Sequence, residues 1–520
     1  MSYETLVVPL TDQLDALFGQ YPAAGQSKGL VYGLCGPDGL EHSRGYGEID
    51  DAGRVPDADT VFPIASMSKS FVAAGALLAR DRGLLDLDAA ITDFFAEFNA
   101  TGPVGEQLDP PTIRQLLSMG GGLTEDNSWV DPFIDTTVED LLRIISPGLV
   151  YSNPPGVAFE YSNVGYTLAG LAVGKAVGRP IEEWIREELL RPLGLTRTCF
   201  DSQDPAGDVG EVVRAVGYSL DTEGNWVGYP PVVSAAFAAA GGMVSTVRDL
   251  SVWITWLGAA FRPGAEGGPL RRASRREMQR VHQLFPPAVV MRGDGALQIA
   301  VGGYALGLMV REDLHRGTTV SHSGGLPGFV LYMVWHPDSG RGVVLLTNSH
   351  RSNPLPLGDE ALLRALAADG APARTVRLWP ATRDLLRDTE TLIRGWDEEL
   401  AARILADNID FDRPIARRRA AIAELIEQIG PLRERSDQQP DVLSAETPAD
   451  VTWSIPGARG ELICSIHLTP TRPAQLQELE VAAAAYTTPR SGRPTDVSRK
   501  ARRGVPLLSS VPNTRVVWPQ

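Results

Sequence analysis

The sequence predicts an α+β fold: one antiparallel sheet flanked by helices and interrupted by a long helical insertion, then a small C-terminal α+β domain. Three observations predict it. Two strand-like runs, L-V-Y-G-L-C at 30–35 and L-E-H-S-R-G-Y-G at 40–47, flank the turn G-P-D-G. Three more, at 317–322, 329–335 and 341–348, are separated by S-G-G-L-P-G and H-P-D-S-G and read as an antiparallel meander. Between the two groups, about 85–230 is mostly helical and loop-like with many Gly and Pro breaks, so it reads as an insertion into one sheet.

The remaining elements follow in order. Residues 5–19 have the spacing of an amphipathic helix. The stretch A-A-G-G-M-V-S-T-V-R-D-L at 239–250 reads as a glycine bend entering a helix, with Thr246 and Asp249 as a capping box. A helix at 359–368 closes the unit, and A-A-D-G-A-P-A-R at 367–374 reads as a linker. Beyond it, Leu385, Leu392, Trp396, Leu400 and Ile404 mark one face of a long helix. A second helix starts near Pro414 and stops at Gly430. Strands follow at 451–455, 461–468 and 476–481. The expected domains are 1–370, 375–486 and a basic tail or arm at 487–520.

Bulk properties exclude several functions. The 520 residues are 43% hydrophobic and 22% charged, the composition of a globular protein. A formal net charge of −16 argues against nucleic acid as a partner. Cys35, Cys199 and Cys464 lie far apart, and the histidines show no ligand spacing, so no metal or other cofactor is expected. The N-terminus has no basic n-region and no long apolar run, and no segment approaches the ~20 apolar residues of a membrane helix. Cytoplasmic placement without membrane attachment is the expectation; the sequence fixes no oligomeric state.

The chemistry begins at P-I-A-S-M-S-K-S-F-V, residues 63–72. Lysine occurs only at 28, 69, 175 and 500. Ser66 stands three residues before Lys69, whereas Ser68 and Ser70 have no lysine at that spacing. The following run is helical in composition, and residues three apart share a helix face. The amine can then lower the pKa of the Ser66 hydroxyl or take its proton, and the helix N-terminus favours an alkoxide. An isolated S-x-x-K is usually a capped helix start, so partner motifs decide.

Y-S-N occurs twice, at 151–153 and 161–163. Asn153 precedes Pro154, which bars a following helix; Asn163 opens a good one. A loop ahead of a helix can aim Tyr161 and Asn163 at one point, so the second copy is preferred, with packing aromatics as the alternative. Such a tyrosine shuttles protons if nearby positive charge lowers its pKa from about 10. At His322-Ser323-Gly324-Gly325 the glycines let a substrate lie against the strand edge. Backbone N–H groups there, with that of Ser66, would form an oxyanion hole. His322 would sit beside the site as a donor or weak charge; alone it reads as a surface histidine.

The ordered set Ser66-x-x-Lys69, Tyr161-x-Asn163 and His322-x-Gly324 resembles the serine β-lactamase and penicillin-binding-protein-like hydrolases of the class C type. It looks closest to their D-aminopeptidase and esterase branch, where H-x-G replaces K-T-G. The resemblance covers about 5–370, with F-P-I-A-S-M-S-K and P-G-V-A-F-E-Y-S-N-V-G-Y among its phrases. It implies the β-lactamase/transpeptidase-like fold, Ser66 as nucleophile and Lys69 with Tyr161 as the acid/base pair. It also implies Asn163 as a substrate binder and the Ser66 and Gly325 amides as oxyanion hole. His322, mostly neutral at its reference pKa of about 6.5, stands where a lysine would hold a substrate carboxylate. That favours small esters, amides or peptides with a free amine over penicillins. The expected function is hydrolysis through an acyl-enzyme. Acyl transfer or peptide cyclisation is the alternative in the same chemistry, and a non-catalytic binding or sensor protein the alternative outside it.

Overall fold

The computed structural model describes residues 8–520 except 97, 99, 102–107, 202–211, 232, 287, 292–296, 314–315, 373, 435–439, 486–513 and 518–520. The chain divides into two compact units, Met1–Ala371 and Pro372–Gln520.

In the first unit, helix α1 (Leu10–Ala23) begins later than the 5–19 expected, because Pro9 stands just before its first turn and a proline ring bars helix on its N-terminal side. Strands β1 (Gly29–Gly36) and β2 (Gly39–Gly47) form the expected hairpin. The long sheet is completed late in the chain by β3 (Leu297–Tyr304), β4 (Met309–Asp313), β5 (Gly317–Leu326), β6 (Phe329–His336) and β7 (Arg341–Thr347). The spatial order is Gln283–Leu284, β3, β4, β5, β6, β7, β1, β2, all antiparallel, with Ala288–Met291 also on β3. The strands between 283 and 313 were not anticipated; Gly302 and Gly303 within β3 interrupt the β-branched pattern that marks a strand. β5 also runs further than expected. Ser323, Gly324, Gly325 and Leu326 pair with β6, so the turn is only Pro327-Gly328.

Every residue of β1 is buried, because helices cover both faces. Leu30, Tyr32 and Leu34 pack with Leu14 and Phe18 of α1 and with Ala361 and Leu362 of the closing helix Pro354–Ala368. Val31 and Cys35 point the other way, into a core shared with Phe71 and Trp253, whose rings stack 4.1 Å apart. Phe71 belongs to helix α2 (Ser68–Asp81), buried from Ser68 through Ala79. Trp253 belongs to Val247–Ala259, capped by the Thr246 hydroxyl at the Asp249 N–H. Only half of the expected capping box forms: the Asp249 carboxylate turns to the Arg197 N–H and the Thr198 hydroxyl. The insertion holds helices at Ile113–Leu117, Val138–Ile145 and, as α3, Asn163–Val177.

In the second unit, the expected long helix breaks at Gly395 into Pro380–Arg394 and Glu398–Ile404. Pro414 and Gly430 bracket Ile415–Ile429. These helices pack on an antiparallel sheet of Asp441–Ser444, Asp450–Pro456, Gly460–Leu468 and Leu476–Ala485, around Leu386, Leu392, Trp453 and Leu462. The tail expected at 487–520 lies outside the described residues except Thr514–Val517, which pairs in parallel with Arg374–Arg377.

Candidate active site

Ser66 sits in a one-turn 3₁₀ segment, Ala65–Met67, that leads into α2. Ala65 has φ 47, a left-handed backbone that costs a non-glycine residue about 1–2 kcal/mol. The surroundings hold it there: the Ile64 carbonyl and the Ala65 Cβ press on Gly324 of β5, where an added Cβ would stand 2.4 Å and 3.1 Å from them. The two glycines of H-S-G-G therefore differ. Gly324 makes room for the loop that carries Ser66, and only Gly325 faces open space.

Ser68 and Ser70 point away. The Ser68 hydroxyl donates to the Ala65 carbonyl and accepts the Met243 N–H; the Ser70 hydroxyl donates to the Met67 carbonyl and accepts the Trp253 indole N–H.

Lys69 is wholly buried, and its Nζ has three partners: Ala240 O at 2.6 Å, Asn163 Oδ1 at 2.8 Å and Ser66 Oγ at 3.0 Å. Burial lowers its pKa to about 7, against the opposing pull of the Asp126 carboxylate. A neutral amine has two hydrogens and one lone pair. Ala240 O and Asn163 Oδ1 can only accept, so they take the two hydrogens and leave the lone pair for the Ser66 O–H.

Asn163 has one orientation that matches donors to acceptors. Its Oδ1 faces Lys69, and its Nδ2 donates to Asp126 Oδ1 at 3.1 Å and Asn127 Oδ1 at 2.9 Å. The side chain implied to bind substrate thus spends both amide hydrogens inside the protein.

Tyr161 lies over the same lysine, with Lys69 Nζ 5.0 Å from its ring centre and the phenol hydrogen-bonded to Ser66. Burial pushes the phenol well above its ordinary pKa, the Ser66 hydroxyl only partly opposing, with Asp126 and Glu125 raising it further. This reverses the expectation of a depressed tyrosine pKa: the group that burial tunes toward neutrality is the lysine. The other candidate, Tyr151, is buried in the insertion core with its hydroxyl unpartnered among the described residues.

His322 is 1% exposed. Its Nδ1 lies 2.6 Å from Ser323 O and its Nε2 2.9 Å from the Tyr304 hydroxyl. A carbonyl only accepts, so Nδ1 carries the hydrogen and Nε2 accepts from Tyr304. Burial, with Lys69 nearby, lowers its pKa to about 3. It is neither a surface histidine nor a weak charge.

Strand β4 ends its pairing at Met309–Ser321, so Ser323 and Gly325 pass beyond it. The two-residue hairpin after Leu326 sets the alternation of hydrogen bonds, and it turns the N–H and C=O of Ser323 and Gly325 away from β6 toward that open edge. The edge, Ser66 and Tyr161 line one cleft of about 530 Å³, together with Asn127, Asn163, Phe237, Met309, His322 and Leu326. All eight sequence-selected residues thus meet at one place, although Lys69 and Gly324 stand behind the lining. Sequence reasoning missed Asp126 and Ala240. A lone aspartate in a loop and a backbone carbonyl carry no motif.

A family model described as Beta-lactamase matches residues 14–368. The chain belongs to the beta-lactamase family. Protein flp of Staphylococcus aureus is 26% identical over 323 residues, 59% of this chain; the match spans 56% of that relative's own length. The octameric penicillin-binding protein homologue from Pyrococcus abyssi superposes with TM-score 0.58 at 18% identity, covering 88% of this chain and 96% of that one. That span is longer than the beta-lactamase unit alone. The D-amino acid amidase from Ochrobactrum anthropi SV3, complexed with L-phenylalanine amide, superposes with TM-score 0.54 at 24% identity, over 69% of this chain and 99% of that one. These likenesses give the fold. No helix among the described residues is long and apolar enough to cross a membrane.

Proposed function

We propose that the protein is a serine hydrolase that cleaves ester or amide bonds of small substrates through an acyl-enzyme on Ser66. The observation that carries this reading is the lysine cage: two acceptors occupy the Lys69 hydrogens, and the remaining lone pair meets Ser66 Oγ at 3.0 Å. Ser66 Oγ attacks the substrate carbonyl as Lys69 takes its proton. The oxyanion is held by the Ser66 and Gly325 N–H groups. Tyr161 keeps its proton because of burial, so it serves as the acid toward the leaving group, and the ammonium formed on Lys69 then gives its proton back to the phenolate. Water then attacks the ester under the same amine.

Among the described residues, no carboxylate, lysine or arginine lines the cleft, and Val130, Ile134, Phe237, Met309 and Leu326 supply apolar surface. This supports neutral acyl donors. The D-amino acid amidase likeness makes aminoacyl amides one class to try, although a free amine has no counter-ion in that lining. The test is labelling by a fluorescent fluorophosphonate, with a substrate panel of p-nitrophenyl acetate, D- and L-aminoacyl anilides and nitrocefin. Wild type and Ser68→Ala should label, and Ser66→Ala should not. An unlabelled wild type, or label retained in Ser66→Ala, overturns the reading.

A further inference from the structure

Asp126 is 8% exposed and lies in the loop beside the cleft, 37 residues before Asn163. Its Oδ1 accepts the Asn163 N–H at 2.7 Å and the Asn163 Nδ2 at 3.1 Å; its Oδ2 accepts the Ser162 hydroxyl at 2.8 Å and the Val164 N–H at 2.9 Å. Four donors thus converge on one carboxylate, two of them backbone amides at the start of α3, where the helix dipole favours a negative charge. An anchor for the helix alone would need only those amides. The fourth contact, to Nδ2, acts on the orientation of a side chain whose other end holds Lys69.

We propose that Asp126 is a positioning residue that turns the Asn163 amide so that its oxygen faces Lys69, and thereby aims the lysine lone pair at Ser66. The proposal rests on the hydrolase reading above. Rotating the Asn163 amide would point Nδ2 at the Lys69 hydrogens and Oδ1 at the Asp126 carboxylate, two repulsive pairs in one move. Asp126 makes that rotation costly. Without it, Asn163 can present either end, and the lysine loses one of the two acceptors that leave its lone pair directed at Ser66. Asp126 is also the one carboxylate that raises the Lys69 pKa. The other groups facing Lys69 are the Tyr161 and Tyr166 rings, 5.0 Å and 5.6 Å from Nζ, and the neutral His322; Glu125 acts on Tyr161.

The experiment follows the rate of fluorophosphonate labelling against pH, with melting temperature as the structural readout. Asp126→Asn removes the charge and puts a donor where an acceptor was. The plateau rate is expected to fall by about tenfold to a hundredfold, the scale of a misplaced catalytic group. The acidic limb should move to lower pH. Thr246→Ala, which removes the side-chain cap of helix Val247–Ala259 and none of the contacts to Lys69, Asn163 or Asp126 given above, should lower the melting temperature and leave the pH profile in place. A double-mutant cycle decides the route: in an Asn163→Ala background, losing Asp126 should cost no further plateau rate. If Asp126→Asn does not fold, Asp126→Glu enters the same cycle; it keeps the charge, so the limb should hold while the plateau falls. A wild-type profile in the folded Asp126 variant, or a full additive loss in the Asn163→Ala background, overturns the proposal. An unlabelled wild type would instead sink the hydrolase reading.

Discussion

Lys69 Nζ stands 2.8 Å from Asn163 Oδ1, on a side chain with no exposed surface. Burial makes the ammonium costly, and the amide oxygen and the Ala240 carbonyl steer what remains. The same lysine can therefore be deprotonated near neutral pH and directed when it is.

A pH dependence follows. A lysine whose pKa is lowered to about 7 by burial is mostly protonated below that value and mostly neutral above it. Labelling of Ser66 should therefore rise as pH rises through about 7, with no loss until a far more alkaline group titrates, since the Tyr161 phenol is pushed up. Stopped-flow labelling checks this. A rate that falls as pH rises through neutrality would remove Lys69 from the role of base.

The two tyrosines of the repeated Y-S-N should behave oppositely. Tyr161→Phe removes the acid beside Ser66, with an expected loss of ~10²-fold or more in turnover. Tyr151→Phe removes a buried hydroxyl that has no partner among the described residues, which costs the fold roughly 1–3 kcal/mol as it stands. That variant should keep its activity and melt at the same temperature or higher. Damage confined to Tyr151→Phe would mean the wrong copy was chosen.

Much of the site was legible because its chemistry is local in sequence. Ser66 and Lys69 share one turn, and the Asn163 helix starts where Pro154 forbids one after Asn153. What stayed hidden depends on contacts between distant segments. Asp126 meets Asn163, and Ala240 meets Lys69, only through tertiary packing. The His322 environment was misjudged for the same reason, because Tyr304 and the strands between 283 and 313 were not recognised. In the fold, β1, β2, β6 and β7 announced themselves through apolar runs and turn residues, whereas β3 carries two glycines in mid-strand.

Gly324 and Gly325 should separate packing from substrate access. A Cβ at Gly324 would lie 2.4 Å from the Ile64 carbonyl, so Gly324→Ala must displace the loop bearing Ser66. A shift of about 1 Å there costs on the order of 10²-fold in rate for every substrate. A Cβ at Gly325 meets nothing within 4 Å among the described residues. Gly325→Ala should fold as well as wild type and discriminate only against bulky acyl groups lying along the strand edge. Rates on acetyl and longer-chain p-nitrophenyl esters test both; a Gly324→Ala enzyme with wild-type rates would show that the contact does not hold the loop.

The last prediction concerns charge at His322. From the sequence, a lysine there should restore capture of a substrate carboxylate and raise reactivity toward such substrates alone. The structure argues otherwise. The imidazole is buried, neutral, and bonded at both nitrogens, to Ser323 O and the Tyr304 hydroxyl. His322→Lys would strand the Tyr304 hydrogen without its acceptor and place a second ammonium near Lys69 in a desolvated wall. Leaving such a polar group unpaired costs ~1–3 kcal/mol, and the added charge costs more. The like charge would also lower the Lys69 pKa further. His322→Lys should therefore melt at a lower temperature and lose activity by similar fractions on nitrocefin, which bears a carboxylate, and on p-nitrophenyl acetate, which does not. A selective gain on nitrocefin would show that the new ammonium reaches the cleft, and that the histidine occupies a carboxylate-binding position after all.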